Sequence, residues 1–269
     1  MGLLEKRGTV MPPIVRAVYF SPTHTTKTIA EEVANALAAA LAASVEVVDL
    51  TLPEHRPTDV SCEAGDVLVF GFPVYAGRVP ALLLDKIARF SGDGTPAVVV
   101  GLYGNRDYDD ALLEAADLLT DHSFNVVAAG AFIGEHSMTA RVAAGRPDGN
   151  DLAAAAQLGR DAAAKIAAGA FDAPAIKGNR PYKDRPAPAD IRRLTTDDCT
   201  SCGICVERCP MGIIDAVDPA IVGPGCIRCN ACVKACPDQA KFFNDEATNK
   251  VVAMLESAYL ERKEPELFL

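Results

Sequence analysis

Cys199-Thr-Ser-Cys202-Gly-Ile-Cys205-Val-Glu-Arg-Cys209-Pro210 is repeated, in spacing, by Cys226-Ile-Arg-Cys229-Asn-Ala-Cys232-Val-Lys-Ala-Cys236-Pro237. Each copy spaces its cysteines by two, two and three residues and ends in proline. Two [4Fe-4S] clusters need eight thiolates, and these two tight loops supply that number. A region of about sixty residues with one short apolar run per half buries little hydrocarbon, so metal ligation must contribute to its folding. Zinc and disulfides are the alternatives. Zinc sites usually set longer stretches between their cysteine pairs, and an unbroken x2 series leaves the third cysteine without a role in them. The ninth cysteine, Cys62, stands alone between charged and turn residues and is assigned nothing.

Outward from this repeat, the 269-residue chain is long enough for one sizeable core and a small satellite. The net charge of −10 is uneven: residues 1–175 carry 13 basic and 22 acidic groups, residues 176–269 carry 13 and 14. Two clusters, each a dianion with its thiolates when oxidised, would make the second region clearly acidic. A nucleic-acid partner is excluded, because it needs a concentrated basic surface. The segment Met1–Gly8 precedes the first strand without the apolar stretch of a signal peptide. The longest apolar region, 34–43, is too short and alanine-rich to span a bilayer. Retained thiolates suit a reducing interior, so a cytoplasmic location is expected.

Residues 14–20 read as a buried strand, followed by a helix over 26–41 with Ile29, Val33, Leu37 and Leu41 on one face. Further strands are predicted at 45–49, 66–71, 97–102 and 126–131, with helices near 80–90, 107–121 and 151–168. Apolar strands alternating with helices predict an α/β fold, a five-stranded parallel sheet covered on both faces. Pro174, Pro181, Pro186 and Pro188 mark residues 173–190 as a linker or wrapping arm. The expected division is 1–172, an α/β domain; 173–190, the proline-rich stretch; and 191–269, the cysteine-rich domain with a C-terminal helix after Lys250.

Ser21-Pro22-Thr23-His24-Thr25-Thr26-Lys27 lies between the first strand and the first helix, at the carboxyl end of the predicted sheet. Backbone N–H groups and a helix N-terminus there favour an anion, and the four hydroxyls add uncharged donors for a phosphate. The bland alternative is that the threonines only cap the helix. Neither a P-loop nor a G-x-G-x-x-G motif is present, which counts against nucleoside triphosphates and dinucleotides. Two more loops belong to the same edge: Gly71-Phe72-Pro73-Val74-Tyr75-Ala76-Gly77-Arg78-Val79-Pro80 and Gly101-Leu102-Tyr103-Gly104-Asn105-Arg106-Asp107-Tyr108. Each offers an aromatic ring, turn glycines and backbone groups, the needs of a planar heteroaromatic ligand. A phosphate loop plus two ring-binding loops describes flavin mononucleotide (FMN). Gly134-Glu135-His136-Ser137-Met138 follows the fifth strand, where His136 or Ser137 would face a substrate or the flavin; a lone loop histidine is more often a structural hydrogen-bonder. Asp107, Asp109 and Asp110 read as helix-start residues.

The cysteine repeat resembles the bacterial two-cluster ferredoxins, and residues 14–168 resemble a flavodoxin. The whole chain is similar to flavodoxin–ferredoxin fusion proteins, often called EFR1-type. That resemblance implies a doubly wound flavodoxin-like sheet beside a small α+β two-cluster domain. It implies one cluster on Cys199, Cys202, Cys205 and Cys236 and the other on Cys226, Cys229, Cys232 and Cys209, since the fourth cysteine of each copy crosses over. Ile204, Ile213, Ile227 and Val233 would shield the clusters. Ser21, Thr23, Thr25 and Thr26 fall on the first, third, fifth and sixth positions of the flavodoxin phosphate loop T/S-x-T-G-N-T, with His24 in place of its glycine. His24 would either add a donor or strain the loop. The inherited ring candidates are Pro73, Val74, Tyr75, Ala76, Gly77, Tyr103, Gly104, Asn105, Arg106 and Tyr108, with Tyr75 or Tyr108 as the stacking ring and Tyr103 in the wall. The expected function is electron transfer between two [4Fe-4S] clusters and FMN. A redox protein or small molecule would be donor or acceptor, and a homo-oligomer is compatible. The alternatives are an FMN-dependent reductase of a small organic substrate and an iron–sulfur adaptor lacking flavin.

Overall fold

The computed structural model describes residues 13–56, 59–187 and 190–269. The N-terminal segment read for a leader, and Pro188 of the proline-rich stretch, lie outside the described residues. Ten strands and seven α-helices follow in the order β1 (Ile14–Tyr19), α1 (Thr25–Leu41), β2 (Ser44–Asp49), β3 (Val60–Ser61), β4 (Val67–Pro73), α2 (Ala81–Ile87), β5 (Phe90–Ser91), β6 (Thr95–Tyr103), α3 (Ala111–Asp121), β7 (Phe124–Ile133), α4 (Gly149–Ala167), β8 (Leu194–Thr195), α5 (Ile204–Glu207), α6 (Ala231–Ala235), β9 (Lys241–Phe242), α7 (Glu246–Ala258) and β10 (Glu266–Phe268).

The main sheet has the order β10-β7-β6-β4-β1-β2. Its five major strands pair in parallel, as the alternation of apolar strands and helices predicts. The nine residues of β6 are all buried, and β4 is buried but for Pro73, as central strands covered on both faces must be. Helices α1 and α4 cover one face, packing Ile29, Val33 and Leu37 with Leu158 and Ala162 over Val69, Val98 and Val100. Helices α2 and α3 cover the other, where Leu83, Leu112 and Leu119 meet Phe70, Phe72 and Val99. Gly159 lets α4 press on α1, because a Cβ there would collide with the Val33 carbonyl. The strand order β2-β1-β4-β6-β7 is the flavodoxin-like doubly wound arrangement.

The sixth strand departs from the sequence expectation. Residues 266–268 return from the far end of the chain and pair antiparallel with β7 at Ala129–Ala131, covering an otherwise open edge. The route back is fixed by polar contacts. Asn105 Nδ2 donates to the Tyr259 and Glu261 carbonyls at 2.7 and 2.8 Å, and Lys263 Nζ donates to the Arg106 carbonyl at 2.6 Å.

The stretch before the cysteine region wraps α3. The Asn179 and Lys183 backbone N–H groups donate to Asp110, Arg180 and Tyr182 bind Asp117, and Arg185 binds Glu114. Glu114 is 3% exposed and also takes both Arg78 nitrogens at 2.8 Å, so its burial is compensated by two guanidinium groups.

The cysteine region contains only α5, α6 and the antiparallel pair β8–β9, with α7 following. Its buried cluster is small: Cys205, Cys209, Cys232, Ile214 and Val222, backed by Val206, Met211, Ile213 and Val233.

Candidate functional site

The eight repeat cysteines divide between two cavities. One is lined by Cys209, Cys226, Cys229 and Cys232 together with Met211, Ile213, Ile214, Val222 and Ile227. The other is lined by Cys199, Cys202, Cys205 and Cys236 with Ile204 and Pro219. Each cavity therefore takes three cysteines from one copy of the repeat and the last cysteine of the other copy. Cys209 and Cys236 cross because each closes the short helix of its own copy, α5 or α6, and the proline behind it carries the chain away.

All nine cysteines are free of disulfides. No group of three or more His, Cys, Asp or Glu side chains among the described residues is gathered to hold a metal ion. The sulfurs instead surround space, as a polynuclear core needs. Burial pushes the Cys229 thiol up to about 12 and the Cys232 thiol up to about 11. Neither would ionise at neutral pH unless a cationic core took the proton's place. The donor set thus fits an iron–sulfur core. Cys62, by contrast, is no surface thiol but a buried core residue just after β3, its thiol raised to about 11 chiefly by burial.

At the carboxyl edge of the main sheet, Ser21 is buried and its Oγ accepts from the Lys27 N–H at 2.9 Å. His24, at the N-cap of α1, makes no side-chain cap, so Ser21 Oγ takes one first-turn N–H, and the first turn holds no acidic residue. The positive end of the helix still favours an anion. His24 precedes the helix at φ 66°, in the left-handed region that favours glycine. The chain accepts this strain, and the imidazole projects to Arg208, with Nε2 2.9 Å from Nη1. Burial, then the Arg208 and Lys27 charges, hold His24 below the usual histidine range. Neutral His24 can thus accept from Arg208. Thr25 faces the fifth-strand loop, since a Cβ on Gly134 would lie 3.2 Å from it.

The ring candidates separate into two sets. Tyr75 and Val74 are half-buried on the α2/α3 side of the sheet, against the same core on which Ile227 packs. Burial raises the Tyr75 hydroxyl, with Cys229 and then Cys226 adding to it, so this ring lies beside the cavity of Cys209, Cys226, Cys229 and Cys232. Ala76 and Gly77 turn with positive φ between them and Arg78, and Pro73 ends β4. Asn105 is also at positive φ, and its Oδ1 is buried without a partner. An unpartnered acceptor at this edge suits a donor on a bound ring.

Tyr103 and Tyr108 are buried edge to face at 5.5 Å, and the Tyr108 hydroxyl donates to Glu266 at 3.0 Å. Tyr108 is thereby turned under the C-terminal tail, whereas Tyr75 is only half-buried. Arg106 is paired with Asp109. Of the three aspartates read as helix-start residues, Asp110 caps α3 by position while its carboxylate holds the wrapping stretch.

His136 lies over Gly104, where any Cβ would strike the imidazole. Burial, then the Lys234 charge, lower it to about 4. Its Nδ1 accepts from the Met138 N–H at 3.1 Å, so the proton of the neutral ring sits on Nε2. Lys234, between Cys232 and Cys236, binds Glu135 at 2.6 Å. Arg56 donates to the carbonyls of Leu50, Thr51 and Pro210. Arg208, Lys234, Ile227 and Arg56 thus join the cysteine loops to the sheet edge. Sequence reasoning named Ile227 only as a cluster shield and missed Arg208, Lys234 and Arg56; for Arg208 and Lys234 the available signal was their position between cysteines.

A family model described as a 4Fe-4S dicluster domain matches residues 198–242. Among solved structures, a flavodoxin from the domain Archaea is 18% identical with a TM-score of 0.41, over 57% of this chain and 99% of that one. A Streptococcus pneumonia TIGR4 flavodoxin is 19% identical with a TM-score of 0.40, over 56% and 99%. An azoreductase from Bacillus anthracis str. Sterne is 13% identical with a TM-score of 0.35, over 58% and 98%. Comparison with curated proteins found no match. No helix among the described residues is long and apolar enough to cross a membrane. The chain joins a flavodoxin-like α/β fold to a region similar to 4Fe-4S dicluster domains.

Proposed function

We propose that this chain is an electron-transfer protein of the flavodoxin–ferredoxin fusion (EFR1) type. It would hold two [4Fe-4S] clusters in its cysteine half and FMN at the carboxyl edge of its sheet. The observation that carries the reading is the four-and-four division of the cysteines between two cavities, one of them beside Tyr75 of a ring loop. When bound, the clusters would exchange one electron each, and FMN one or two.

Cys199, Cys202, Cys205 and Cys236 would ligate one cluster, and Cys209, Cys226, Cys229 and Cys232 the other. The start of α1, with Thr23, His24, Thr25 and Thr26, would bind the phosphate; Ser21 shapes the loop from beneath by accepting from the Lys27 N–H. Pro73–Gly77 and Gly104–Asn105 would border the ring, with Tyr75 against its face. Ile213, Ile227 and Met211 would keep water from the cavity of Cys209, Cys226, Cys229 and Cys232. The two cofactor-binding units would divide at residues 172 and 190, except that β10 at the end of the chain rejoins the sheet of the first, and a reducing compartment suits the thiolates.

The intact, cofactor-loaded chain tests this by anaerobic reductive titration. Iron–sulfur and flavin absorbance should fall in one equilibrating series. Flavin that stays oxidised after the clusters are fully reduced, or no flavin retained at all, refutes the reading. A small-molecule reductase is the second reading, favoured by the Nε2–H of neutral His136 at the sheet edge. Saturable turnover of quinones, enones or nitroaromatics that falls in His136→Ala would select it.

A further inference from the structure

The two-stranded sheet β8–β9 carries two buried cations, one to each cysteine cavity. Arg193, immediately before β8, is 3% exposed and lines the cavity of Cys209, Cys226, Cys229 and Cys232. Lys241, the first residue of β9, is 2% exposed and lines the cavity of Cys199, Cys202, Cys205 and Cys236. The register Leu194↔Phe242 and Thr195↔Lys241 fixes both residues in one frame.

Neither cation forms an ion pair with a carboxylate among the described residues, though the Arg193 charge reaches Asp245. Arg193 lies over the Phe243 ring and donates from Nη2 to Asn230 Oδ1, while Nε and Nη1 are buried with no partner. Lys241 donates to Thr195 Oγ1 at 2.8 Å and to the Pro219 carbonyl, leaving its third ammonium proton unassigned. A buried cation with unsatisfied donors costs several kcal/mol unless an anion compensates it. The remaining cavity walls are apolar side chains and sulfur, save for Asn230 in one and the exposed Asp238 and Thr200, which bind each other, in the other.

We propose that Arg193 and Lys241 are the charge partners of the two clusters. Arg193 would serve the centre on Cys209, Cys226, Cys229 and Cys232, and Lys241 the centre on Cys199, Cys202, Cys205 and Cys236. The inference rests on the cluster reading above and extends it. Each cation donates toward cluster sulfur and offsets its negative charge. Because reduction adds an electron to an anionic centre, a buried cation beside it favours the reduced form. Lys234 and Arg208 lie nearby in sequence but are exposed, and they face Glu135 and His24 instead.

The experiment is anaerobic voltammetry of the full, reconstituted chain, with iron and acid-labile sulfide measured on each sample. Arg193→Gln and Lys241→Gln should each move a different one of the two one-electron waves to more negative potential. The expected change is about tenfold or more in the reduction equilibrium, which is 59 mV for one electron. Arg193→Lys should lie near the wild type, and the double Gln variant should move both waves. Unmoved waves in fully loaded Gln variants, or one wave moved by both, overturn the proposal. If a Gln variant fails to load iron, loading restored by Arg193→Lys or Lys241→Arg supports the role of charge, and loading lost in these too overturns it. A wild-type chain without iron and sulfide refutes the cluster reading itself, and this inference with it.

Discussion

The two halves of this molecule bury different things. The sheet half packs Phe70, Phe72, Leu68, Ile29 and Leu37, all fully buried, in two apolar layers that fold by removing hydrocarbon from water. The cysteine half has a five-residue buried cluster, three of whose members are cysteines, and it encloses two unpaired cations. The difference teaches that one half is a scaffold in its own right, while the other, on the proposed reading, would be completed by what its sulfurs hold.

The largest effect that could break this contrast is removal of the metal. Stripping iron with an oxidant and chelator should abolish amide-exchange protection across residues 194–242 and leave β1, β4, β6 and β7 protected. Equal loss in both halves, or none in either, would contradict the comparison. Next, Phe70→Ala removes a ring that contacts Phe72 at 5.5 Å and Phe90 at 5.7 Å, and should cost about 3–5 kcal/mol. Far-ultraviolet circular dichroism in denaturant should register that loss at lower denaturant than the iron–sulfur absorbance does.

The join between the halves is weaker. Arg56→Ala removes donors to Leu50, Thr51 and Pro210 and should cost about 1–2 kcal/mol. Hydrogen exchange should quicken around residues 50–52 and 209–214 with both interiors intact.

A further effect sharpens the same join through pH. His136 is held neutral by burial and Lys234 down to about pH 4, whereas an unfolded histidine takes its proton near 6.5. Between those values the unfolded chain binds more protons, so stability is full above 6.5 and declines as pH falls toward 4. In His136→Gln the thermal midpoint should fall less over that window; an unchanged slope would remove His136 from the account.

The sheet was legible because its strands and helices carry clear periods: Ile29, Val33 and Leu37 repeat at helical spacing, and 97–102 is an unbroken buried run. The cysteine repeat was legible because ligand chemistry fixes spacing. What the sequence hid depends on distant pairing. Glu266–Phe268 is three residues long and becomes a strand only because β7 leaves an edge open. Tyr108 reads like Tyr75 until that same tail brings Glu266 to its hydroxyl. Arg193 and Lys241 look like surface charges of a solvated domain, and only the β8–β9 pairing turns them inward. His24 was visible as a departure from the flavodoxin loop, but its contact with Arg208 spans 184 residues and has no local signal.

The most direct test of the central claim is the cofactor content of the intact chain after anaerobic reconstitution with iron, sulfide and FMN. The account predicts about eight iron, eight acid-labile sulfide and one tightly held FMN per chain. A chain that retains only zinc, or retains its iron and sulfide while releasing all flavin on desalting, would contradict it.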